Sequence, residues 1–337
     1  MGDIMHEVDL SKYDLRTDLI IEKNLSNVIN HHYIKDDISV DDITLDKDNE
    51  LKKKEGKYIT ISFKDVTDTN NFNNVLKVFS EELKKMLAFC KIDEKATCLV
   101  IGLGNPKIIS DALGSKSLSD IIVTRHMYLL GDVDKKYRNV CILEPNVMGI
   151  TGIDSFEIIK NIIDEIKPDF VVAIDSLCAA NIERLNKTIQ ITSTGITPGS
   201  GIGNNKEELS KETLGVPVIA IGVPTVVDST VIVSDTINYL MKKIGYLKDN
   251  VNNNLDKLKP INKVNYLKDN HELTMDEKQE ILGYIGLLDD DKLRTLIWEV
   301  LSPIEANMIV TTKEIDFVIE KLGKLISSGI NKSLHNI

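Results

Sequence analysis

The 337-residue sequence predicts an α/β fold: a mostly parallel sheet flanked by helices, with a helical C-terminal extension. Three observations predict it. Short, continuous apolar runs at Cys98–Ile101, Val171–Ile174 and Val216–Ile221 are what strands buried on both faces look like. Between them lie stretches of helical period, Phe72 to Phe89 and Phe156 to Ile166, and strands alternating with helices imply crossover connections and parallel pairing. The third is the run Val171-Val172-Ala173-Ile174, which leads straight into Asp175. A strand of this kind delivers its next residue to the carboxyl edge of the sheet, where open α/β folds bind ligands.

The individual elements follow in order. Residues 1–18 are polar, without a helical or strand period, and read as an extended arm; residues 35–56 are dense in Asp, Glu and Lys and read as a solvated, mobile segment. Tyr58 to Phe63 alternates with period two, as a half-buried strand does. Val75, Leu76, Val78, Phe79, Leu83, Met86 and Leu87 form a helical stripe, and the strand Cys98–Ile101 then breaks at Gly102-Leu103-Gly104-Asn105-Pro106. Ile121–Val123 fits a helix segment and Val140–Leu143 a strand. Lys167-Pro168 stops the helix that begins near Phe156. Thr188–Thr192 alternates cleanly, Pro217 should sit at the start of its strand, and Thr230 to Ile244 reads as a helix. Residues 250–272 are rich in Asn, Lys and Asp and read as a linker. Two capping-box signatures, Thr274 with Glu277 and Thr311 with Glu314, open the helices of the tail. The domain reading is therefore an arm over 1–18, an α/β domain over 19–249, and a linker with a helical extension packed on that domain over 250–337.

Composition narrows the function. Hydrophobic residues make up 42% and charged residues 28%, an ordinary globular balance, and the formal net charge is -11. An acidic chain is a poor phosphate binder, so no direct nucleic-acid partner and no anionic membrane surface is expected. The four cysteines, Cys90, Cys98, Cys141 and Cys178, form no CxxC pair, and no His stands at metal-finger spacing. They read as small buried residues in a reducing compartment, with no metal and no cofactor expected. Met1 to Ser11 has no apolar leader core, and no apolar run reaches spanning length, so a cytoplasmic location is the expectation.

The candidate chemistry lies in the acids. If the strand at 98–101 neighbours the one at 171–174, Asp111 and Asp175 emerge at one sheet edge. Two carboxylates sharing a site cannot both ionise easily, so one holds a proton. One can then activate a water while the other protonates or polarises a carbonyl, a hydrolase layout that uses no protein nucleophile. The competing reading is that Asp111 caps a helical turn beginning at Ala112, and Asp175 one beginning at Ser176. Asp228, after the strand near 221, is a third acid, and His126 is a lone histidine better suited to structure than catalysis. The stretch Thr194 to Asn204 carries four glycines, including Gly199, Gly201 and Gly203 beside Ser200; it reads either as a substrate-binding loop with exposed N–H groups or as a plain surface turn. Gly102-Leu103-Gly104 lacks the third glycine of a dinucleotide fingerprint, and no Walker loop is present.

Several segments carry a resemblance. Ser110-Asp111-Ala112-Leu113-Gly114, Val123-Thr124-Arg125-His126, Val147 to Ile153, Lys167 to Asp175, Gly195 to Asn204, Thr213 to Pro217 and Ala220 to Asp228 occur in an order that closely resembles the germination proteases of spore-forming bacteria. The resemblance spans nearly the whole chain. It implies an atypical aspartic endopeptidase on a phosphorylase/hydrolase-like fold akin to hydrogenase-maturation proteases, with its functional aspartates at Asp111 and Asp175. It also implies small acid-soluble spore proteins as substrates, a homotetramer acting in the spore core, and a zymogen that removes its own arm. The processing segment matches Arg16-Thr17-Asp18-Leu19-Ile20-Ile21-Glu22, which puts the cut between Asp18 and Leu19. The family usually has Pro at Ser110, Ala at Ser176 and Arg at Ala180; the two aspartates survive all three departures. Two rivals remain at this point. A peptidyl-tRNA hydrolase shares Gly-Leu-Gly-Asn-Pro and Thr-Arg-His, but here the gap from Pro106 to Thr124 is too long and Met127 replaces an Asn. The other is a non-enzymatic phosphate- or nucleotide-binding regulator built on the glycine loops.

Overall fold

The computed structural model describes residues 17–23, 28–51, 53–131, 133–199, 207–250, 266–267, 271–304 and 306–337. Among them run nine strands: β1 (Asn30–Lys35), β2 (Ile38–Leu45), β3 (Gly56–Ser62), β4 (Cys98–Gly102), β5 (Val140–Leu143), β6 (Phe170–Ala179), β7 (Thr188–Thr192), β8 (Val218–Asp228) and β9 (Ile309–Val310). They form one sheet in the order β1-β2-β3-β7-β8-β6-β4-β5, with β9 paired to the end of β8. The helices are α1 (Thr69–Phe89), α2 (Leu113–Leu118), α3 (Arg125–Leu130), α4 (Met148–Thr151), α5 (Ser155–Ile166), α6 (Lys211–Leu214), α7 (Ser229–Asn250), α8 (Met275–Leu282), α9 (Asp290–Leu301) and α10 (Ile315–Leu334).

The sheet is mixed, which corrects the expectation of a mostly parallel one. β4 pairs in parallel with β5 and with β6. β6 and β8 run the same way: Val171 N–H donates to Pro217 O at their starts, and Gly222 lies against Leu177 further along. The other half, β1-β2-β3-β7-β8, is antiparallel throughout. The segment read as solvated, 35–56, supplies much of that half. Ile38, Val40, Ile43 and Leu45 of β2 are buried, and the charges that hid this alternation are spent on neighbours. Lys57 pairs with Asp42 at 2.8 Å, and Asp41 accepts from Asn30 at 2.9 Å.

The chain divides into two compact units that cut across sequence order. The larger holds residues 16–179, 183–226 and 311–337. Its first core sets Ile59, Ile61, Ile189, Ile191, Ile219 and Ile221 on one sheet face against α1 and α10. α1 and α10 approach closely because Gly329 lies on the Phe79 ring, where an added Cβ would stand 2.2 Å from a ring carbon. On the other face Leu99, Ile101, Val171 and Ala173 meet Ile159 and Ile163 of α5. α5 starts at Asp154, whose side chain accepts from Phe156 N–H, and ends at Lys167 in the left-handed region just before Pro168. The described residues of the smaller unit fall within 180–182 and 227–310, with α7 against α9. There the Thr274–Glu277 capping box opens α8 as expected. The second box does not form, because the Thr311 hydroxyl donates to Thr225 O at 2.6 Å and α10 starts after Glu314 without a side-chain cap. Ile121–Val123 is irregular rather than helical. Most of the expected linker, 251–265 and 268–270, lies outside the described residues.

Candidate active site

Asp111 is placed by a return loop. β4 ends at Gly102, which pairs with Ile174, and the next N–H, on Leu103, donates to Ile174 O at 2.8 Å. Gly104 then adopts φ 98°, which an L side chain rarely adopts, and the chain comes back through a single tight turn, Ile109–Asp111. The Asp111 carboxylate accepts from Asn105 N–H at 2.8 Å, and the Thr225 hydroxyl of β8 donates to Ser110 O at 2.6 Å. Ala112, the residue before α2, makes no side-chain cap. Asp111 thus folds back onto the loop after its strand and does not cap α2.

Asp175 is 5% exposed and sits inside a strand instead of at its end. β6 continues to Ala179; what stops at Ile174 is its neighbour β4. The capping alternative for Asp175 is therefore overturned, since no helix follows it; one of its oxygens accepts from Ser176 N–H at 2.9 Å. Alternation along β6 puts Val171, Ala173, Asp175 and Leu177 on one face. The turn carrying Asp111 packs against β6, the strand that carries Asp175.

Beside Asp175 the chain seats its own residues 17–22. Asp18 N–H donates to Cys178 O at 3.2 Å, and Cys178 N–H donates to Asp18 Oδ2 at 2.9 Å. Cys178 stands three residues beyond Asp175 on β6, about 10 Å of backbone. Leu19 is 0% exposed, and its N–H donates to Thr17 Oγ1 at 3.1 Å. The Thr17 hydroxyl also reaches Glu22, which Arg184 approaches at 3.6 Å. Gln190 on β7 completes the seat: its Nε2 donates to Asp18 O at 3.0 Å and its Oε1 accepts from Ile20 N–H at 2.8 Å. A cavity of about 190 Å³ opens here, lined by Asp18, Leu177, Gln190, Thr192, Ala220 and Gly222 among others.

The remaining candidates divide. Gly199 is half-buried in a turn at φ 71°. Ser200, Gly201 and Gly203 lie outside the described residues, as do residues 1–16 of the arm. Asp228 caps α7, accepting from Thr230 N–H at 2.8 Å and from its hydroxyl at 2.7 Å. His126 is exposed on α3. Among the described residues no group of three or more His, Cys, Asp or Glu side chains is placed to hold a metal ion, and no helix is long and apolar enough to cross a membrane. Gln190 and the main chain of Cys178 were missed from sequence. The signal for Gln190 was available, since it is the one amide inside an alternating Thr-Ile-Gln-Ile-Thr strand.

Comparison with known proteins defines the class. Residues 7–337 match a peptidase family whose description is Germination protease. The chain is 41% identical to the germination protease of Bacillus mycoides (strain KBAB4) and 42% identical to that of Bacillus cereus (strain ATCC 10987 / NRS 248). Each alignment covers 98% of this chain and 96% of the relative. The chain is a protease, and it belongs to the germination protease family. Among solved structures, a NiFe hydrogenase maturation protease from Thermococcus kodakarensis KOD1 overlaps 43% of this chain and 80% of its own, at 20% identity and a TM-score of 0.28. The fold above rests on this chain's own strand order.

Proposed function

We propose that the chain is an aspartic endopeptidase that begins the breakdown of small acid-soluble spore proteins in the spore core, with Asp111 and Asp175 as its catalytic carboxylates. The observation that carries this reading is the packing of the turn that holds Asp111 against β6, the strand that holds Asp175, with the Asp18 segment bonded to β6 three residues past Asp175. In the reaction one carboxylate takes a proton from water as its oxygen adds to the peptide carbonyl carbon. The carbon–nitrogen bond then breaks as the protonated partner gives its proton to the leaving nitrogen. One water is consumed, and a carboxylate and an amine result.

The chain is made as a zymogen that cuts itself between Asp18 and Leu19. Two features support that bond: Asp18 N–H bonds to Cys178 O on β6 with Leu19 extended after it, and the acid before it already has a donor in Cys178 N–H. The glycines at Gly199, Gly201 and Gly203, with Ser200, supply main-chain donors to the substrate. The working form is a homotetramer; exposed Leu129 and Leu130 on α3 and Ile142 on the edge strand β5 support association.

The test is cleavage of purified acid-soluble spore proteins by the wild type and by Asp111→Asn and Asp175→Asn. Each variant should lose at least ~10²-fold in rate. Full activity in either would refute the pair. N-terminal sequencing of the processed chain should begin at Leu19, and sedimentation should give four chains.

A further inference from the structure

We propose that Gln190 is a carboxamide clamp on the main chain of the cleaved segment, first for the chain's own cut and then for protein substrates. This rests on Asp18–Leu19 being the processing bond.

A primary amide buried in a sheet must satisfy both its donor and its acceptor. Gln190 is 6% exposed, and its neighbours Ile189 and Ile191 point into the core on the opposite face. Its amide is paired with the main chain of a segment some 170 residues away, Nε2 to Asp18 O and Oε1 to Ile20 N–H. The two bonds straddle the Asp18–Leu19 peptide. The leaving nitrogen, Leu19 N, is held separately by Thr17 Oγ1.

The chemistry of the bond gives this placement meaning. When water adds to the Asp18 carbonyl carbon, the carbonyl oxygen gains negative charge, and that oxygen already faces Nε2 at 3.0 Å. A fixed donor at this point stabilises the charge as it forms. Gln190 neither takes nor gives a proton. The Oε1 contact to Ile20 N–H fixes register, so the carbonyl presented is that of Asp18 and not of a neighbour. Both contacts are to main chain, so any segment that places a main-chain N–H two residues after the acid as Ile20 does can make them. Once residues 1–18 have left, Nε2 loses Asp18 O and faces the 190 Å³ cavity, where the main-chain carbonyl of a substrate takes up the same bond.

The experiment uses the full chain with Gln190→Met, which keeps volume and removes both polar groups, and Gln190→Glu, which keeps the acceptor and removes the donor. Release of the N-terminal segment is followed by mass spectrometry, which reports both rate and bond, and thermal unfolding is recorded in parallel. Both variants should process at least ~10²-fold more slowly than wild type, the loss typical of removing one such donor. Unpairing Asp18 O, and in Gln190→Met also Ile20 N–H, lowers both unfolding midpoints. The rate loss should persist at temperatures where both variants are folded, whereas a merely structural glutamine would lower the midpoint and spare the rate there. Should Gln190→Met not fold, Gln190→Glu decides alone. Wild-type processing rates at Asp18–Leu19 in a folded variant overturn the clamp and leave the processing reading standing. A wild-type cut at another bond overturns the processing reading and the clamp together.

Discussion

Gly104→Ala should disable the site without unfolding the sheet. An added Cβ at Gly104 would stand 2.1 Å from Asp111 O and 2.9 Å from its Oδ1. Ordinary contact begins at 3.4 Å, so the Asp111 turn must retreat by about 1.3 Å. The retreat also loosens the bond from Asn105 N–H to the Asp111 carboxylate. A misplacement of ~1 Å in reacting groups lowers rates about 10²-fold, which is the expected fall in cleavage of the proposed substrates. The φ of 98° adds strain of roughly 1–2 kcal/mol. Gly215→Ala is the control. Its φ of 76° imposes similar strain, yet its added Cβ meets nothing within 4 Å. Gly215→Ala should therefore lose a comparable ~1–2 kcal/mol in thermal or urea unfolding while keeping full activity. The reasoning is refuted if Gly104→Ala cleaves at the wild-type rate, or if Gly215→Ala loses activity to the same extent.

Other outcomes follow from burial and capping. Cys90 has its thiol pushed up to about 11 by burial, and the fully buried Cys98 is raised further for the same reason; at pH 8 neither should react with iodoacetamide at the rate of an exposed thiol, while denatured chain should label at all four cysteines. Burial holds the His335 imidazole below its ordinary 6.5, with the nearby Arg138 cation acting the same way against a hydrogen bond to Ile122 O. The unfolded chain then binds the proton first as pH falls through 6.5, so stability should drop from there down to the lowered folded value. In His335→Gln, unfolding midpoints between pH 7.5 and 5 should show a shallower decline. Thr274→Ala removes the α8 capping box and should cost about 1 kcal/mol, read by urea unfolding.

How much of this was legible in the sequence depends on what each segment spends its side chains on. The strands at 98, 140, 171, 188 and 218 and the long helices were readable because their apolar periods are unbroken. β2 was not, because Asp41 and Asp42 sit among Ile38, Val40, Ile43 and Leu45, and their partners His32, Asn30 and Lys57 come from neighbouring strands. The length of β6 was hidden for a related reason: Asp175-Ser176 interrupts an apolar run that resumes at Leu177. Spacing could put Asp111 near the strand end but could not tell a cap from a loop-back, which depends on Gly104 accepting a backbone oxygen at its surface. Thr311 with Glu314 had the right letters for a cap, and tertiary contact with Thr225 took the hydroxyl instead. The Asp18–Gln190 contact joins residues 172 apart and no local pattern could announce it.

β6 outruns β4 by five residues, from Asp175 to Ala179. A strand left without that neighbour offers its own N–H and C=O groups to a visiting chain, and recognition of this kind selects a shape before it selects letters. Only polypeptide already drawn out straight can lie along such a ledge. A helix or a compact domain presents its main-chain groups to itself and has none to offer. A protease built this way would spare the folded proteins around it and digest chains that are already unfolded. The timing of digestion would then be governed by when a substrate unfolds.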